Sequence, residues 1–478
     1  MGKKHDQDQD KQYQTGHRNT NDQEQHGPEQ DKPETSNSRR KFLSDLTLGA
    51  LGTVSAAGII SGCASPKTIA DRSEAATPHM LPEAPDGEVL RAGLIGCGGR
   101  GTGAAVNFVD AGPNLEIVAL GDVFQDQLDK CRSMLKTARD IEIPDENCFV
   151  GFDSYEKVID AGVDVVLLVA PGHFRPLHAE AAVNAGKHVF QEKPVCVDPV
   201  GARKMDEVTQ KAKQNNLCMV TGTIRRYQKD YVHTRQLVAD GAIGEITGAS
   251  IVRNGGALWW VERQSGWSDM EYMIRNWGNF TWLSGDTILE KFIHEVDVMS
   301  WYLGEDPVRA IGYGARHQRE SGDQYDIFSV IYEYANGMQT HCATREISHC
   351  DNERSELIVG TEGSARADGT ILNHKGEVIW QHSGDNVPDP YRQEHVELVT
   401  AIRTGNYIND SDEQIRSNRL GLMGRMSAYT GRTITWEEVL NSDLKLGPDV
   451  YAFRDYPNYV NGSPPLVGAP TPPTDRYS

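Results

Sequence analysis

The sequence has no excess of positive charge, no closely spaced cysteine pair and no apolar run long enough to cross a bilayer. Each absence removes a class of function. Lys and Arg number 48 against 68 Asp and Glu, so the net charge is −20 and the basic face that nucleic acid requires is not expected. The eight cysteines, at 63, 97, 131, 148, 196, 218, 342 and 350, form no CxxC, which argues against a disulfide framework and a zinc ribbon. His341-Cys342 and His349-Cys350 are the nearest thing to a ligand set. On strands, neighbouring residues point to opposite faces, so no four-ligand cluster forms and no metal is expected. Internal repeats, a Ser-His-Asp arrangement and a Walker loop are also missing.

Residues 1–37 are Gln, Asp, Asn, Lys and His with almost no apolar content, and are read as a disordered polar segment. Residues 38–63 differ in kind. They begin Ser38-Arg39-Arg40-Lys41-Phe42-Leu43, pass through a mild apolar stretch from Leu46 to Ile60, and end Ile60-Ser61-Gly62-Cys63. That stretch is short for a membrane span, and its charged flank and small-residue end have the form of a signal peptide. The twin arginines resemble a Tat signal, and Ile-Ser-Gly-Cys resembles a bacterial lipobox in which Cys63 is lipidated. The expectation is a periplasmic or cell-envelope protein that touches membrane only through a lipid anchor. Residues 64–88, rich in Pro, Ala, Ser and Asp, suit a linker.

From 89 to 223, short apolar runs alternate with amphipathic stretches, the pattern of a parallel, doubly wound sheet. The first run, Val89–Ile95, leads into Gly96-x-Gly98-x-x-Gly101, with Gly99 and Arg100 inside the spacing. The first glycine permits a tight turn, the second a close approach of backbone to a pyrophosphate, and the third close helix–strand packing. A second run, Glu116–Leu120, ends in Gly121-Asp122, where an acid would meet a ribose hydroxyl. This is the fingerprint of a Rossmann NAD(P)-binding domain. Asp122 repels a 2′-phosphate and favours NAD; Arg100, placed to stack on adenine or meet that phosphate, keeps NADP open.

Residues 224–450 read as an α+β domain with an open, mainly antiparallel sheet, used for substrate and for oligomer contacts. Its signals are strands at Val308–Ala315, Asp326–Tyr334 and Met338–Thr344, a hairpin at Asn336-Gly337, and one helix across Ile288–Leu303. Helices at Pro390–Arg403 and Ser411–Arg425 return to pack nearby, and residues 451–478 form an irregular tail. A homo-oligomer is expected through the exposed sheet face.

The run Gly186-Lys187-His188-Val189-Phe190-Gln191-Glu192-Lys193-Pro194 takes a strand to the carboxyl edge of the sheet, where open α/β folds bind ligands. With the glycine spacing, Asp122, Ala170-Pro171 followed by His178, and Gly285-Asp286 running to His294 and Asp297, the chain resembles the Gfo/Idh/MocA oxidoreductases from about Val89 to Arg432. The resemblance implies that Lys193 contacts cofactor and substrate, with Glu192, Pro171 and His178 lining the cofactor pocket. It implies that Glu290, His294 and Asp297 complete a catalytic group. Glu290 stands where the family pattern has Asp, and on a helix it would share a face with His294.

Five of the eight tryptophans fall between Trp259 and Trp282. They suit either stacking on sugar rings, with Trp277, Arg226, Asn276, Glu262 and Arg275 supplying further contacts, or loop packing and subunit contact. The leading expectation is an oxidoreductase that moves a hydride between a tightly held NAD and a secondary hydroxyl of a sugar, cyclitol or glycoside. The alternatives are a redox-neutral, NAD-dependent glycosidase and a non-catalytic binding lipoprotein.

Overall fold

The computed structural model describes residues 80–384 and 389–460. The polar segment 1–37, the signal-like stretch with Cys63, the linker up to residue 79 and the tail beyond 460 lie outside the described residues.

Six short strands form the first sheet: β1 (Leu90–Ile95), β2 (Leu115–Asp122), β3 (Cys148–Val150), β4 (Val165–Leu168), β5 (His188–Gln191) and β6 (Met219–Thr221). They are parallel in the order β3-β2-β1-β4-β5-β6, the doubly wound arrangement expected of a Rossmann domain. Helices cover both faces, so strand residues such as Ala92, Leu94, Val165 and Leu167 are buried and the strands carry few polar side chains. The strand order reverses between β1 and β4, and the two strand ends approach closely there. A Cβ on Gly96, which has φ +99, would lie 2.6 Å from the Ala170 nitrogen. Gly101 opens the helix Gly99–Val109 against the same turn, and a Cβ there would lie 1.8 Å from the Gly96 carbonyl oxygen.

The second sheet has nine strands: β7 (Ile246–Gly255), β8 (Arg309–Ala315), β9 (Ile327–Glu333), β10 (Gln339–Glu346), β11 (Glu353–Gly360), β12 (Gly363–Arg366), β13 (Thr370–Asn373), β14 (Val378–Gln381) and β15 (Ile434–Thr435). Their order is β14-β13-β12-β11-β7-β10-β9-β8-β15, antiparallel except where β10 runs parallel to β7. The helices Ile293–Leu303 and Ser411–Thr430 pack on one face. The other face carries exposed Ile311, Tyr313 and Ile331. On β10, Cys342 is buried and His341 exposed, so the pair does point to opposite faces.

Two segments depart from the sequence expectation. The single helix across Ile288–Leu303 is two, Thr287–Glu290 and Ile293–Leu303. At the junction the Phe292 N–H bonds to the Thr287 carbonyl five residues back, at 3.0 Å, which inserts a residue into the turn and resets the helical face. The helix Pro390–Thr404, read with the second domain, buries Val396 and Val399 in one cluster with Phe108, Phe190 and Val220 of the first. All of these elements lie in one compact unit.

Gly101→Ala tests the fingerprint packing. The added carbon has a backbone oxygen in its way, so we expect a loss of about 2–3 kcal/mol of stability, read as a lower Tm. Gly103→Ala, whose nearest neighbour is an arginine tip at 3.8 Å, should leave Tm near wild type.

Candidate active site

A cleft of about 440 Å³ opens at the β1/β4 switch point, walled by the glycine loop and Asp122 on one side and by Trp259, Arg275 and Trp277 of the second domain on the other. Its floor fits a dinucleotide. A Cβ on Gly98 or Gly99 would meet no atom within 4 Å, so the loop leaves open space where phosphates would rest beside a helix N-terminus. Asp122 accepts hydrogen bonds from Cys97 N (2.7 Å) and Phe124 N (2.9 Å), which tie the loop to the end of β2. Burial pushes its carboxyl above the usual value against the pull of these amides, and each oxygen keeps a lone pair for a ribose hydroxyl. Pro171 and His178 line the same cleft. His178 is stacked between Tyr155 and Phe174, and burial, with Arg175 and His173, lowers its pKa to about 3. It is a neutral wall residue.

Beyond β5, the Lys193 ammonium donates to the backbone carbonyl of Glu290 and, at 3.1 Å, to its carboxylate. The contact joins the end of the first sheet to the short helix Thr287–Glu290 of the second domain. Burial pushes the Glu290 carboxyl up, but Lys193, with Lys291 and Arg253, holds it below the usual value. The Nδ1 of His294 is buried without a hydrogen-bond partner. Burial, reinforced by Lys193 and three arginines, keeps its pKa well below the ordinary value. The structure thus brings Lys193, Glu290 and a neutral His294 into one electrostatic group.

Several expected site residues lie elsewhere. Asp297 is 0% exposed and meets Arg226 in a two-pronged ion pair at 2.8 and 2.9 Å, while accepting from Ser417 at 2.7 Å. Arg226 also pairs with Glu413, so neither residue is available to substrate. A buried guanidinium must be neutralised, and this pair meets that need. Asn276 is likewise 0% exposed: its oxygen accepts from Val261 N (3.0 Å) and its nitrogen donates to Ser321 (2.6 Å). It braces the tryptophan loop from beneath. Glu192 does not line the cleft either. Its carboxylate pairs with Arg100, whose other face approaches buried Glu394 at 3.6 Å and whose carbon lies 4.8 Å from the Tyr391 ring centre. The Glu192 carboxylate already takes the charge that a 2′-phosphate would need, and burial pushes the Glu394 carboxyl well above its ordinary value.

The tryptophan segment divides between the two readings. Trp259, Trp267 and Trp277 line the cleft, Trp259 meeting Trp277 edge-on at 6.1 Å, whereas Trp282 is core and Trp260 is exposed. One residue was not foreseen. Arg175 is buried and donates to the Pro194 carbonyl, holding the turn that presents Lys193, which is joined to Pro194 by a cis peptide. An arginine before a helix proline carries no local signal of that role. Among the described residues, no group of three or more His, Cys, Asp or Glu is placed to hold a metal ion.

Comparison with known proteins decides the identity. Residues 90–222 match the family described as "Oxidoreductase family, NAD-binding Rossmann fold", and residues 231–366 match the "GFO/IDH/MocA C-terminal domain". The chain belongs to the Gfo/Idh/MocA oxidoreductase family. It is an NAD-binding oxidoreductase. Inositol 2-dehydrogenase of Salmonella typhimurium is 28% identical over 287 residues, covering 58% of this chain and 73% of that protein. The 2,7-anhydro-N-acetylneuraminate hydratase of Escherichia coli is 31% identical, over 43% of this chain and 52% of that protein. The scyllo-inositol dehydrogenase of Lactobacillus casei, solved with NAD(H) and scyllo-inositol, shares the fold at TM-score 0.55 and 20% identity, covering 73% of this chain and 99% of that one.

The Arg226–Asp297 assignment is testable. Asp297→Ala removes the two-pronged buried partner of Arg226 and leaves only the more exposed Glu413, which should cost about 3 kcal/mol and lower Tm, while the KM of the folded protein stays near wild type. A large fall in kcat at unchanged Tm would restore Asp297 to the catalytic group.

Proposed function

We propose that this protein oxidises a secondary hydroxyl of a cyclitol or sugar-like polyol with a tightly held NAD. The observation that carries the reading is the Lys193–Glu290 contact, set at the ligand-binding edge of the first sheet beside a neutral histidine. The dehydrogenase relatives support a polyol as substrate. NAD bound in the cleft supplies the hydride acceptor. The Lys193 ammonium, aimed by Glu290, donates a hydrogen bond to the reacting oxygen and stabilises the negative charge that grows there, and the neutral His294 ring takes the hydroxyl proton as the hydride leaves. Neutral His294 presents an acceptor nitrogen to that hydroxyl, and the edge of Trp277 offers an apolar face to the ring. Glu290 keeps the lysine in place through both a side-chain and a backbone acceptor, so the acid acts as a positioning residue.

A redox-neutral reading is favoured by one observation, the relative named as a hydratase. In that reading the same proton-handling groups serve an oxidation that is later reversed, with no net reduced cofactor. The two separate in one assay: a lasting 340 nm rise on adding polyol marks the dehydrogenase, and product release without it marks the redox-neutral cycle. Two further parts of the proposal concern placement. Export through the twin-arginine segment with a lipid on Cys63 would hold the protein at the cell envelope, and the apolar patch of Ile311, Tyr313 and Ile331 would join copies into a homo-oligomer.

Lys193→Ala should abolish turnover while the purified protein still retains nicotinamide; unchanged turnover removes its assigned role. The pH profile gives a second check. The folded-state pKa of His294 is depressed, so the ring stays neutral as pH falls through about 6.5, where the unfolded residue titrates. Activity should therefore persist through that range and decline only on further acidification. The stability held in the neutral ring declines over the same interval, as the unfolded chain takes up the proton first. An acid limb at the ordinary histidine value, absent in His294→Gln, would contradict this.

A further inference from the structure

Arg275 reaches from the second domain across the end of the cleft that carries Asp122. Its guanidinium lies 3.9 Å from the ring centre of Phe124, two residues beyond Asp122, and 5.0 Å from that of Trp267. Both of its terminal nitrogens donate to Asp126, at 3.0 and 2.8 Å, and Asp126 belongs to the first turn of the helix Gln125–Arg139. Its Nε donates to Glu271 at 3.0 Å, which fixes the fork in one plane. Arg275 and Phe124 both line the cleft.

The chain's C-terminal segment reinforces the same end. Phe453 stacks on Phe124 at 5.6 Å and meets Phe152 at 5.1 Å, and Tyr451 is hydrogen-bonded to His173. That segment is held in turn by the helix Asp269–Arg275, through Met270 N to Arg454 O and Tyr456 N to the Asp269 carboxylate. Phe124 is thus contacted by two stretches more than 170 residues apart in sequence, each anchored on the other. Asp122, Phe124 and Arg275 line one cleft.

We infer that Arg275, seated on Phe124 and paired with Asp126, is a latch that keeps the dinucleotide resident by closing the adenosine end of the cleft. The inference rests on the cleft being the dinucleotide site. The chemistry suits a latch: a planar guanidinium binds a carboxylate through two parallel bonds and an aromatic face through cation–π attraction, and neither interaction uses the ligand. The Asp126 side chain is 57% exposed, so the pair alone is weak and screened by salt. Its strength comes from the aromatic seat, and its place makes it the contact that must open first.

The test loads purified full-length protein with NADH, displaces it with excess NAD and follows the loss of bound-nicotinamide fluorescence. Arg275→Met should speed release by about tenfold, a change of about 1.4 kcal/mol in the barrier. Asp126→Asn, which leaves the seat on Phe124 intact, should speed it by a smaller factor, and raised ionic strength should act on wild type in the same direction. Release by Arg275→Met within about twofold of wild type overturns the latch. If that variant does not fold, the surface substitution Asp126→Asn decides, and an unchanged rate with no salt dependence overturns it. Failure of wild type to take up NADH at all would overturn the reading of the cleft, a distinct outcome.

Discussion

The contact on which the site depends is the one between the Lys193 ammonium and Glu290. Lys193 ends a strand of the parallel sheet, and Glu290 ends a short helix of the second domain. Neither domain has a complete proton-handling group alone. The ammonium has a charged acceptor and a backbone acceptor from the same residue, so its position is fixed in two directions. The glutamate found where the family pattern has aspartate is compatible with this arrangement: its carboxylate reaches the lysine in a hydrogen-bonded ion pair. The cation adds to burial in raising the cost of protonating the histidine, so one charge both polarises the reacting oxygen and keeps the neighbouring base neutral.

Around that contact, buried charges are neutralised in pairs, and the pairing decides which residues remain free for ligands. Arg226 and Asp297 cancel each other, and Glu192 pairs with Arg100, while burial pushes the nearby Glu394 carboxyl well above its ordinary value. An unpartnered charge at such depth would be strongly unfavourable, so Asp297 is paired and Glu394, whose buried oxygens have no hydrogen-bond partner, has its pKa pushed up. Burial also bears on cofactor choice. With Arg100 paired to Glu192 and Asp122 at the end of β2, the loop leaves open space beside the helix N-terminus and sets a carboxyl, not a free guanidinium, at the strand end where a dinucleotide fold meets the ribose.

Much of this was legible from local sequence. The glycine spacing works through backbone geometry within a few residues, so Gly96, Gly98 and Gly101 announce the turn directly, and the Glu-Lys-Pro strand end places Lys193. Pairings across long separations were not legible. Asp297 lies three residues from His294 and looks like a site acid until Arg226, 71 residues earlier, is found against it. Asn276 sits among tryptophans and looks like a sugar contact, yet its partners include Ser321, Asn279 and the Val261 backbone amide. The step at Phe292 is similar: nothing in the periodicity of Ile288–Leu303 reports a hydrogen bond to the fifth residue back. For Asp297 and Asn276 the competing tertiary contact wins because it satisfies a buried polar group, and sequence spacing alone does not show burial.

The helix Pro390–Thr404 and the segment around Phe453 extend the same point to the ends of the chain. Both come late in sequence, and both return to the first domain, one behind its sheet and one over its cleft. The dinucleotide fold is therefore completed by residues that follow most of the second domain in sequence. Opening the cleft means separating Arg275 from Asp126 and sliding aromatic rings apart, and these motions are resisted from two directions because each covering segment is bonded to the other. Such reciprocal bracing makes cofactor residence a property of the whole chain and substrate access a separate matter at the Lys193 end. Under the proposed export to the cell envelope, that separation would let the folded chain keep its cofactor while substrate comes and goes.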